Sequence, residues 1–232
     1  MAEPLSAAPT GTAYTHEFVT GALPEGAANI LEVGCGAGEL AARLVEAGLR
    51  VLALDSYPDC VAAARAAGVE ARLARWPVAV GERFDAVLFT RSLHHIAPLE
   101  EAVAAAVEAL HPSGRIIVED FRAEGGSERS RAWYARLVRG LHSSGGLQAA
   151  DVSALLAKTD PDDHELHPSA AIATALARFG DVEQSDAAYY FRYLEPKLPQ
   201  PAASELLKAE LAVIESGSID ALGKRFVLSP GQ

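Results

Sequence analysis

Three glycines at alternate positions, Gly34, Gly36 and Gly38, follow a short apolar run at 29–33. Glycines let the backbone turn sharply and let a ligand lie directly against the main chain. An apolar helix pattern begins at Leu40, and the start of a helix directs unpaired N–H groups back toward the glycines. A strand, a glycine turn and a helix in this order predict a nucleotide-binding site.

The spacing of the glycines separates two kinds of nucleotide site. The dinucleotide fingerprint places two residues between its second and third glycines, whereas only Ala37 stands between them here. Glu32 lies two positions before the first glycine, and the next strand pattern, 50–54, is followed by Asp55. An acid at that point can accept hydrogen bonds from both hydroxyls of a ribose. The spacing therefore argues against a nicotinamide dinucleotide, which stays open as an alternative.

Polar residues also follow two later strand patterns. His94 and His95 come shortly after the run 84–89, and Glu119 ends the run 115–119. In an open α/β sheet, ligands collect at the carboxyl ends of the strands. A histidine with a pKa of about 6.5 suits removal of a proton from a hydroxyl, an amine or an acidic carbon, and a carboxylate can orient an acceptor. We predict these three residues as catalytic; the alternatives are a structural role for one histidine and a solvated turn or helix cap at the glutamate.

The glycine turn and these polar residues need a layered fold to hold them. Short apolar runs alternate with helix patterns of about ten to fourteen residues, which is typical of a parallel, doubly wound α/β sheet. The predicted strands are 29–33, 50–54, 69–73, 84–89, 115–119, 181–186 and 225–228, and the predicted helices are 14–23, 38–48, 58–67, 99–110, 127–141, 147–157, 168–179 and 204–216. We expect a mobile lead-in at 1–12 and a polar loop at 158–167.

Three segments resemble the motifs of the class I S-adenosylmethionine (SAM)-dependent methyltransferases. Glu32 with the glycine turn 34–38 resembles the first motif, and Asp55 stands where that family places its ribose-binding acid. The segment 84–96 resembles the fourth-strand segment that faces the transferred methyl group. The segment 110–118 resembles the turn into strand five, with a serine in place of the first glycine.

The resemblance is continuous over about 29–121 and loose beyond. It implies a Rossmann-like, doubly wound α/β sheet of seven strands, mostly parallel with an antiparallel last strand, and a helical insert after strand five. The domains expected are an N-terminal segment or possible lid at 1–28, a SAM-binding core at 29–122, a helical substrate cap at 123–167 and a C-terminal completion of the sheet at 168–232.

The resemblance also implies SAM as the cofactor and S-adenosylhomocysteine (SAH) as its product. Many relatives carry an acid after strand three that meets the adenine amine, but this chain has none there. Trp76 could cover the adenine face instead, with ordinary packing as the other interpretation. The predicted cofactor-binding residues are Glu32, Gly34, Cys35, Gly36, Gly38, Asp55, Ser56, Trp76 and Thr90.

The composition limits the partners. The 232 residues are 50% hydrophobic and 22% charged, as in a soluble globular protein. A net charge of −11 argues against a general electrostatic hold on DNA, RNA or an anionic membrane. The two cysteines make no disulfide framework or metal-ligand spacing, and we find no signal peptide or membrane-spanning run. We expect a cytoplasmic monomer or homodimer that uses no metal.

The predicted function is SAM-dependent methyl transfer to a small-molecule acceptor. O-methylation is slightly preferred over N- or C-methylation, since the chain carries no acceptor-specific motif. The main alternative is a protein that binds SAM or SAH without methyl transfer, as a regulator or as an enzyme for cyclisation or elimination.

Three segments allow weaker interpretations. Tyr14 and His16 are a possible lid over the cofactor, with a solvated helix face as the other interpretation. Tyr190 and Arg192 would share one face of a strand, where they could meet an aromatic or acidic substrate, although ordinary edge-strand packing is the favoured interpretation. The segment 162–167 contains metal-ligand residue types, but we predict no functional metal there.

Overall fold

The computed structural model describes residues 9–158 and 166–231 and contains a seven-stranded sheet. The strands are β1 (Asn29–Val33), β2 (Arg50–Asp55), β3 (Glu70–Leu73), β4 (Phe84–Thr90), β5 (Leu110–Phe121), β6 (Gly180–Ala187) and β7 (Gly223–Pro230). Their order is β3-β2-β1-β4-β5-β7-β6, and neighbouring strands from β3 to β5 run parallel. The sheet confirms the predicted doubly wound α/β fold, including an antiparallel end formed by the last strands.

Helices connect the strands in the order that parallel pairing requires. They are α1 (Thr10–Ala22), α2 (Glu39–Glu46), α3 (Pro58–Ala66), α4 (Leu99–Glu108), α5 (Glu128–Ser143), α6 (Ala149–Ala157), α7 (Ser169–Ala177), α8 (Tyr190–Leu194) and α9 (Gln200–Glu215). Two short 3-10 helices, Leu93–His95 and Glu195–Lys197, follow β4 and α8.

Internal contacts divide the chain into two compact units. The larger unit takes in Thr15–Asp120, Glu165–Ser185 and Arg225–Gln232, as far as these ranges are described. The smaller unit takes in the described parts of Met1–Tyr14, Phe121–His164 and Asp186–Lys224. The insert after β5 therefore belongs to a unit that also includes α8 and α9.

The core of the larger unit lies on both faces of the sheet. Along β1, Leu31 and Val33 face one apolar cluster, whereas Ile30 faces the other. In β4 the run Phe84–Phe89 is apolar except for Asp85, and its five apolar residues are fully buried. Burial on both faces explains why these strands read as continuous apolar runs.

The core of the smaller unit is aromatic. The ring of Tyr134 stacks on that of Tyr190, with centroids 4.9 Å apart. The buried carboxylate of Glu210, in α9, accepts backbone N–H bonds from Tyr189, Tyr190 and Phe191 at 2.6–2.9 Å. Burial raises the pKa of Glu210, and these three donors oppose the rise. A buried acid thus supplies the hydrogen-bond acceptors that the start of α8 needs.

Three predicted elements need correction. Residues 10–12 begin α1 with buried threonines, so they are no part of a mobile lead-in. Residues 190–194 form α8 instead of a strand, because Glu210 caps them from a distant helix; Tyr190 and Arg192 therefore share no strand face. β5 begins at Leu110, five residues earlier than predicted. Most of the loop predicted at 158–167, with its metal-ligand residue types, lies outside the described residues.

Candidate functional site

A cavity of about 540 Å³ opens at the carboxyl ends of β1, β2, β3 and β4 in the larger unit. Its wall includes two of the three glycines, the acid at the end of β2 and the residues that follow β4. This is the edge of an open parallel sheet where ligands are expected. The glycine turn, which predicted a nucleotide site, lies at this edge.

The three glycines of the turn have different structural roles. Gly34, at φ 77°, has no room for a side chain, because a Cβ there would lie 2.5 Å from Cβ of Ser92. At Gly38, with φ 78°, a Cβ would lie 2.7 Å from Cβ of Ala64 in α3. Gly36, at φ 55°, has no heavy atom within 4 Å of that position. Two glycines therefore permit close packing, whereas Gly36 leaves bare backbone at the wall of the cavity.

Asp55 joins the second strand to the glycine turn. Its Oδ2 accepts the N–H of Gly36 at 2.9 Å, and its Oδ1 accepts the N–H of Tyr57 at 2.9 Å. The N–H groups of Gly34 and Cys35 donate to the carbonyl of Leu54 at 2.8 and 3.1 Å. Each carboxylate oxygen has a second lone pair, so Asp55 can hold the turn in place and still accept a ligand hydroxyl.

Glu32 is buried below the turn. Oγ1 of Thr90 donates a hydrogen bond to its Oε1 at 3.1 Å. Burial raises the pKa of Glu32 to about 7, and the Thr90 hydrogen bond and the nearby charge of Arg91 oppose the rise. Neither Glu32 nor Thr90 is among the residues that line the cavity. The structure places Glu32 and Thr90 behind the glycine turn, where their hydrogen bond joins β1 to β4.

The other predicted cofactor residues differ in exposure. Ser56 is exposed and lines the cavity, and Trp76 lines it with a side chain that is nearly buried. Nε1 of Trp76 donates to the carbonyl of Ala102 at 3.0 Å, and its ring meets that of Phe89 edge-on. Cys35 is buried, which raises the pKa of its thiol to about 12. Most of the Trp76 ring is therefore covered by packing against its neighbours. The Cys35 thiol is not activated as a nucleophile, because its pKa is raised.

The two histidines occupy different environments. His95 is exposed and lines the cavity. His94 is buried, with Nδ1 2.6 Å from Oδ1 of Asp120, and its ring centroid lies 4.0 Å from that of His95. A carboxylate on one ring nitrogen sets the orientation of an imidazole. The structure thus brings His95 into the cavity and commits His94 to a pair with Asp120.

Glu119 lies in a buried polar network. Its Oε1 accepts the hydroxyl of Thr15 at 2.6 Å and Nη1 of Arg91 at 3.2 Å. Its Oε2 accepts Nε and Nη2 of Arg225 at 2.8 and 2.7 Å. With only 2% of its surface exposed, Glu119 is no solvated acidic turn, and its carboxylate holds two arginines in place.

Several lining residues were not predicted from the sequence. They are Tyr57, Cys60, Arg75, Arg91 and Ser92, together with apolar neighbours. Tyr57, Arg75 and Arg91 each stand next to a predicted position in the sequence and could have been included on that ground. Arg91 has φ 61° and is the one non-glycine residue with a positive φ among the described residues. That backbone conformation leaves no signal in the sequence.

The described residues were also compared with the requirements of a metal site and of a membrane-spanning helix. Within residues 9–158 and 166–231, no group of three or more His, Cys, Asp and Glu side chains could hold a metal ion. Every helix in those ranges is too short or too polar to cross a bilayer.

The fold and the cavity define an α/β protein with a glycine turn of the nucleotide-binding type at the edge of its sheet. The chain belongs to the methyltransferase-domain family, whose model matches residues 12–156. This membership confirms the resemblance that the glycine motif, Asp55 and the segment after β4 indicated.

Relatives of this family have sequence and structural similarity to the chain. The ubiquinone biosynthesis O-methyltransferase of Xylella fastidiosa is 30% identical over 111 residues, 44% of this chain and 45% of that protein. The chain thus spans less than half the length of the curated relatives it matches.

Two solved structures share the fold at low identity. Phosphoethanolamine N-methyltransferase 2 of Haemonchus contortus, solved with SAM, has a TM-score of 0.62 at 16% identity, over 98% of this chain and 54% of that chain. The 4+2 cyclase SpnF has a TM-score of 0.61 at 16% identity, over 94% and 82%. Both confirm the predicted Rossmann-like fold class.

Proposed function

We propose that this protein binds SAM in the cavity beside the glycine turn and transfers its methyl group to a small-molecule acceptor. O-methylation is slightly preferred over N- or C-methylation. The observation that carries the proposal is the hydrogen bond between Gly36 and Asp55 at the wall of this cavity, in a chain of the methyltransferase-domain family.

The residues present fit a nucleoside cofactor. Gly36 offers bare backbone with open space where a side chain would stand, so a ligand can lie against it. Asp55 keeps lone pairs for ribose hydroxyls while it holds the turn. We propose that Gly34, Gly36, Asp55 and Ser56 hold the cofactor, and that Glu32 and Thr90 support the turn from behind.

When bound, SAM supplies a methyl carbon on a positively charged sulfur, which becomes a neutral sulfide as the methyl leaves. The chain must then hold the acceptor in line and take up the proton that the acceptor loses. Among the predicted catalytic residues, only His95 lines the cavity. We propose that a ring nitrogen of His95 accepts the proton of the acceptor hydroxyl, and that the buried His94–Asp120 pair fixes the neighbouring ring.

The same arrangement gives weight to the alternative function. His94 and Glu119 are buried and engaged with Asp120, Arg91 and Arg225, which leaves one exposed histidine as the base within the cavity. A protein that binds SAM or SAH without transferring a methyl group needs no such base.

The proposal is tested in two steps. Calorimetric titration with SAM, SAH and NADH identifies the nucleotide, with micromolar binding of SAM or SAH alone as the expected result. Incubation with methyl-labelled SAM and a panel of hydroxylated and amine metabolites then tests transfer, with His95→Gln as the variant that should lose it. Binding of NADH in place of SAM would reject the proposal. SAM binding without labelled product would favour the alternative.

We propose further that the protein works in the cytoplasm as a monomer or homodimer. The net charge of −11 favours a small-molecule acceptor over nucleic acid or an anionic membrane. Light scattering of the purified chain would give the oligomeric state.

A further inference from the structure

We propose that Arg91 binds a carboxylate in the cavity that it lines together with the glycine turn. The carboxylate is either the methionine end of bound SAM or an acidic group on the acceptor, and the inference rests on the proposed function. Three features of Arg91 lead to it: its backbone conformation, its unused donors and the charge around it.

The backbone at Arg91 favours glycine, yet the chain places an arginine there. Its φ of 61° lies in the left-handed region, which L-residues avoid. The same turn uses glycine at Gly34, Gly36 and Gly38, which also have positive φ. A strained non-glycine residue at a cavity indicates that its side chain is needed. Conformation alone therefore does not explain an arginine at position 91.

The guanidinium of Arg91 still has donors available. Its Nη1 donates to Oγ1 of Thr15 at 3.3 Å and to Oε1 of Glu119 at 3.2 Å. Its Nε and Nη2 make no hydrogen bond with the described residues, although the side chain is only 34% exposed and lines the cavity. The planar fork of arginine matches the two oxygens of a carboxylate.

Arg91 shares its carboxylate partner, Glu119, with a second arginine. Glu119 already receives two N–H bonds from Arg225 and the hydroxyl of Thr15. Two guanidinium groups, those of Arg91 and Arg225, therefore share this one carboxylate. Glu32 lies near enough to interact with Arg91, but its pKa of about 7 leaves it only partly ionised at neutral pH. An anionic ligand group in the cavity would give Arg91 a carboxylate partner that it does not share.

Two nucleosides and three variants test the inference by calorimetry. SAH carries the carboxylate, and 5′-methylthioadenosine lacks it. Arg91→Gln removes the charge and keeps a polar N–H donor on a shorter side chain, whereas Arg91→Lys keeps the charge. Arg72→Gln is the matched control, since Arg72 is an exposed arginine on β3 paired with Glu70 and outside the cavity lining.

If the cofactor supplies the carboxylate, Arg91→Gln should weaken SAH binding by about 10- to 100-fold and leave 5′-methylthioadenosine binding unchanged. Arg91→Lys should recover part of the loss, and Arg72→Gln should bind both as wild type. If the acceptor supplies it, SAH binding stays unchanged, but SAH-loaded wild-type protein binds benzoate and SAH-loaded Arg91→Gln does not.

The inference is overturned if Arg91→Gln binds SAH and benzoate as wild type does. Equal loss of SAH and 5′-methylthioadenosine would also overturn it, because that result indicates a structural role. Should Arg91→Gln fail to fold, Arg91→Gly gives the same comparison in a residue that suits the backbone. Failure of wild-type protein to bind either nucleoside would instead refute the proposed function.

Discussion

Two glycines of the turn form a matched pair for separating the effects of a side chain on stability and on cofactor binding. Gly36 and Gly38 have φ of 55° and 78°, so alanine at either position must adopt a left-handed conformation. A Cβ at Gly38 would lie 2.7 Å from Cβ of Ala64, whereas a Cβ at Gly36 would have no heavy atom within 4 Å. Gly36→Ala and Gly38→Ala share the backbone strain and differ in the collision.

The magnitudes follow from these two terms. The left-handed conformation costs alanine roughly 1–2 kcal/mol, and this is the whole loss of stability expected for Gly36→Ala. The collision at Gly38 adds an overpacking cost of about 1–3 kcal/mol, since α2 packs against α3 there. Gly38→Ala should therefore lose roughly 2–5 kcal/mol of unfolding free energy.

For cofactor affinity we expect the opposite ranking, with Gly36→Ala more damaging than Gly38→Ala. The methyl of Gly36→Ala occupies open space at the wall of the cavity, where we propose that the cofactor lies against bare backbone. We expect its SAH affinity to fall by about tenfold or more, and Gly36→Val should abolish binding. Gly38→Ala, if it folds, should bind SAH closer to wild type, because its methyl faces α3.

Urea unfolding followed by circular dichroism gives the stabilities, and calorimetric titration gives the SAH affinities. The reasoning would be refuted if Gly36→Ala lost as much stability as Gly38→Ala. It would also fail if Gly36→Ala bound SAH with wild-type affinity, because the open space would then have no bearing on the ligand.

Three further predictions concern buried acids. Asp55→Ala should abolish SAH binding while the protein stays folded, as checked by calorimetry and circular dichroism; unchanged affinity would contradict a ribose-binding role. Because the pKa of Glu32 is raised from 4.5 to about 7, the folded state binds the proton more tightly, and stability should fall as pH rises through that range. The loss is of order 3 kcal/mol, and urea unfolding of Glu32→Gln should show a flatter pH profile; parallel profiles would reject the shift. Glu210→Ala should cost roughly 3 kcal/mol, because three backbone N–H groups lose their acceptor, and a near-wild-type melting temperature would show that water replaces the carboxylate.

Local patterns predicted much of the fold correctly. β1, β2 and β4 were found because strands buried on both faces read as short apolar runs. The glycine turn and Asp55 were found because backbone conformation and ligand approach select particular residue types at fixed spacing. These features depend on neighbours in sequence.

The errors have long-range causes. α8 was predicted as a strand, but its first N–H groups are capped by Glu210, twenty residues further along from Tyr190. The early residues of α1 were expected to be mobile, but Thr10 and Thr12 are buried. In both places, partners distant in the chain outweigh local propensity.

The amino-acid sequence by itself determined the parallel sheet and the glycine turn, since these follow from periodicity and glycine spacing, and the resemblance of its motifs indicated the family. Only the tertiary structure separated His95, in the cavity, from His94, which pairs with Asp120. It also buried Glu119 between two arginines and gave Arg91, which lines the same cavity, a left-handed conformation. Adjacent residues can point to opposite sides of a turn, and a carboxylate's role depends on which charges the fold brings to it.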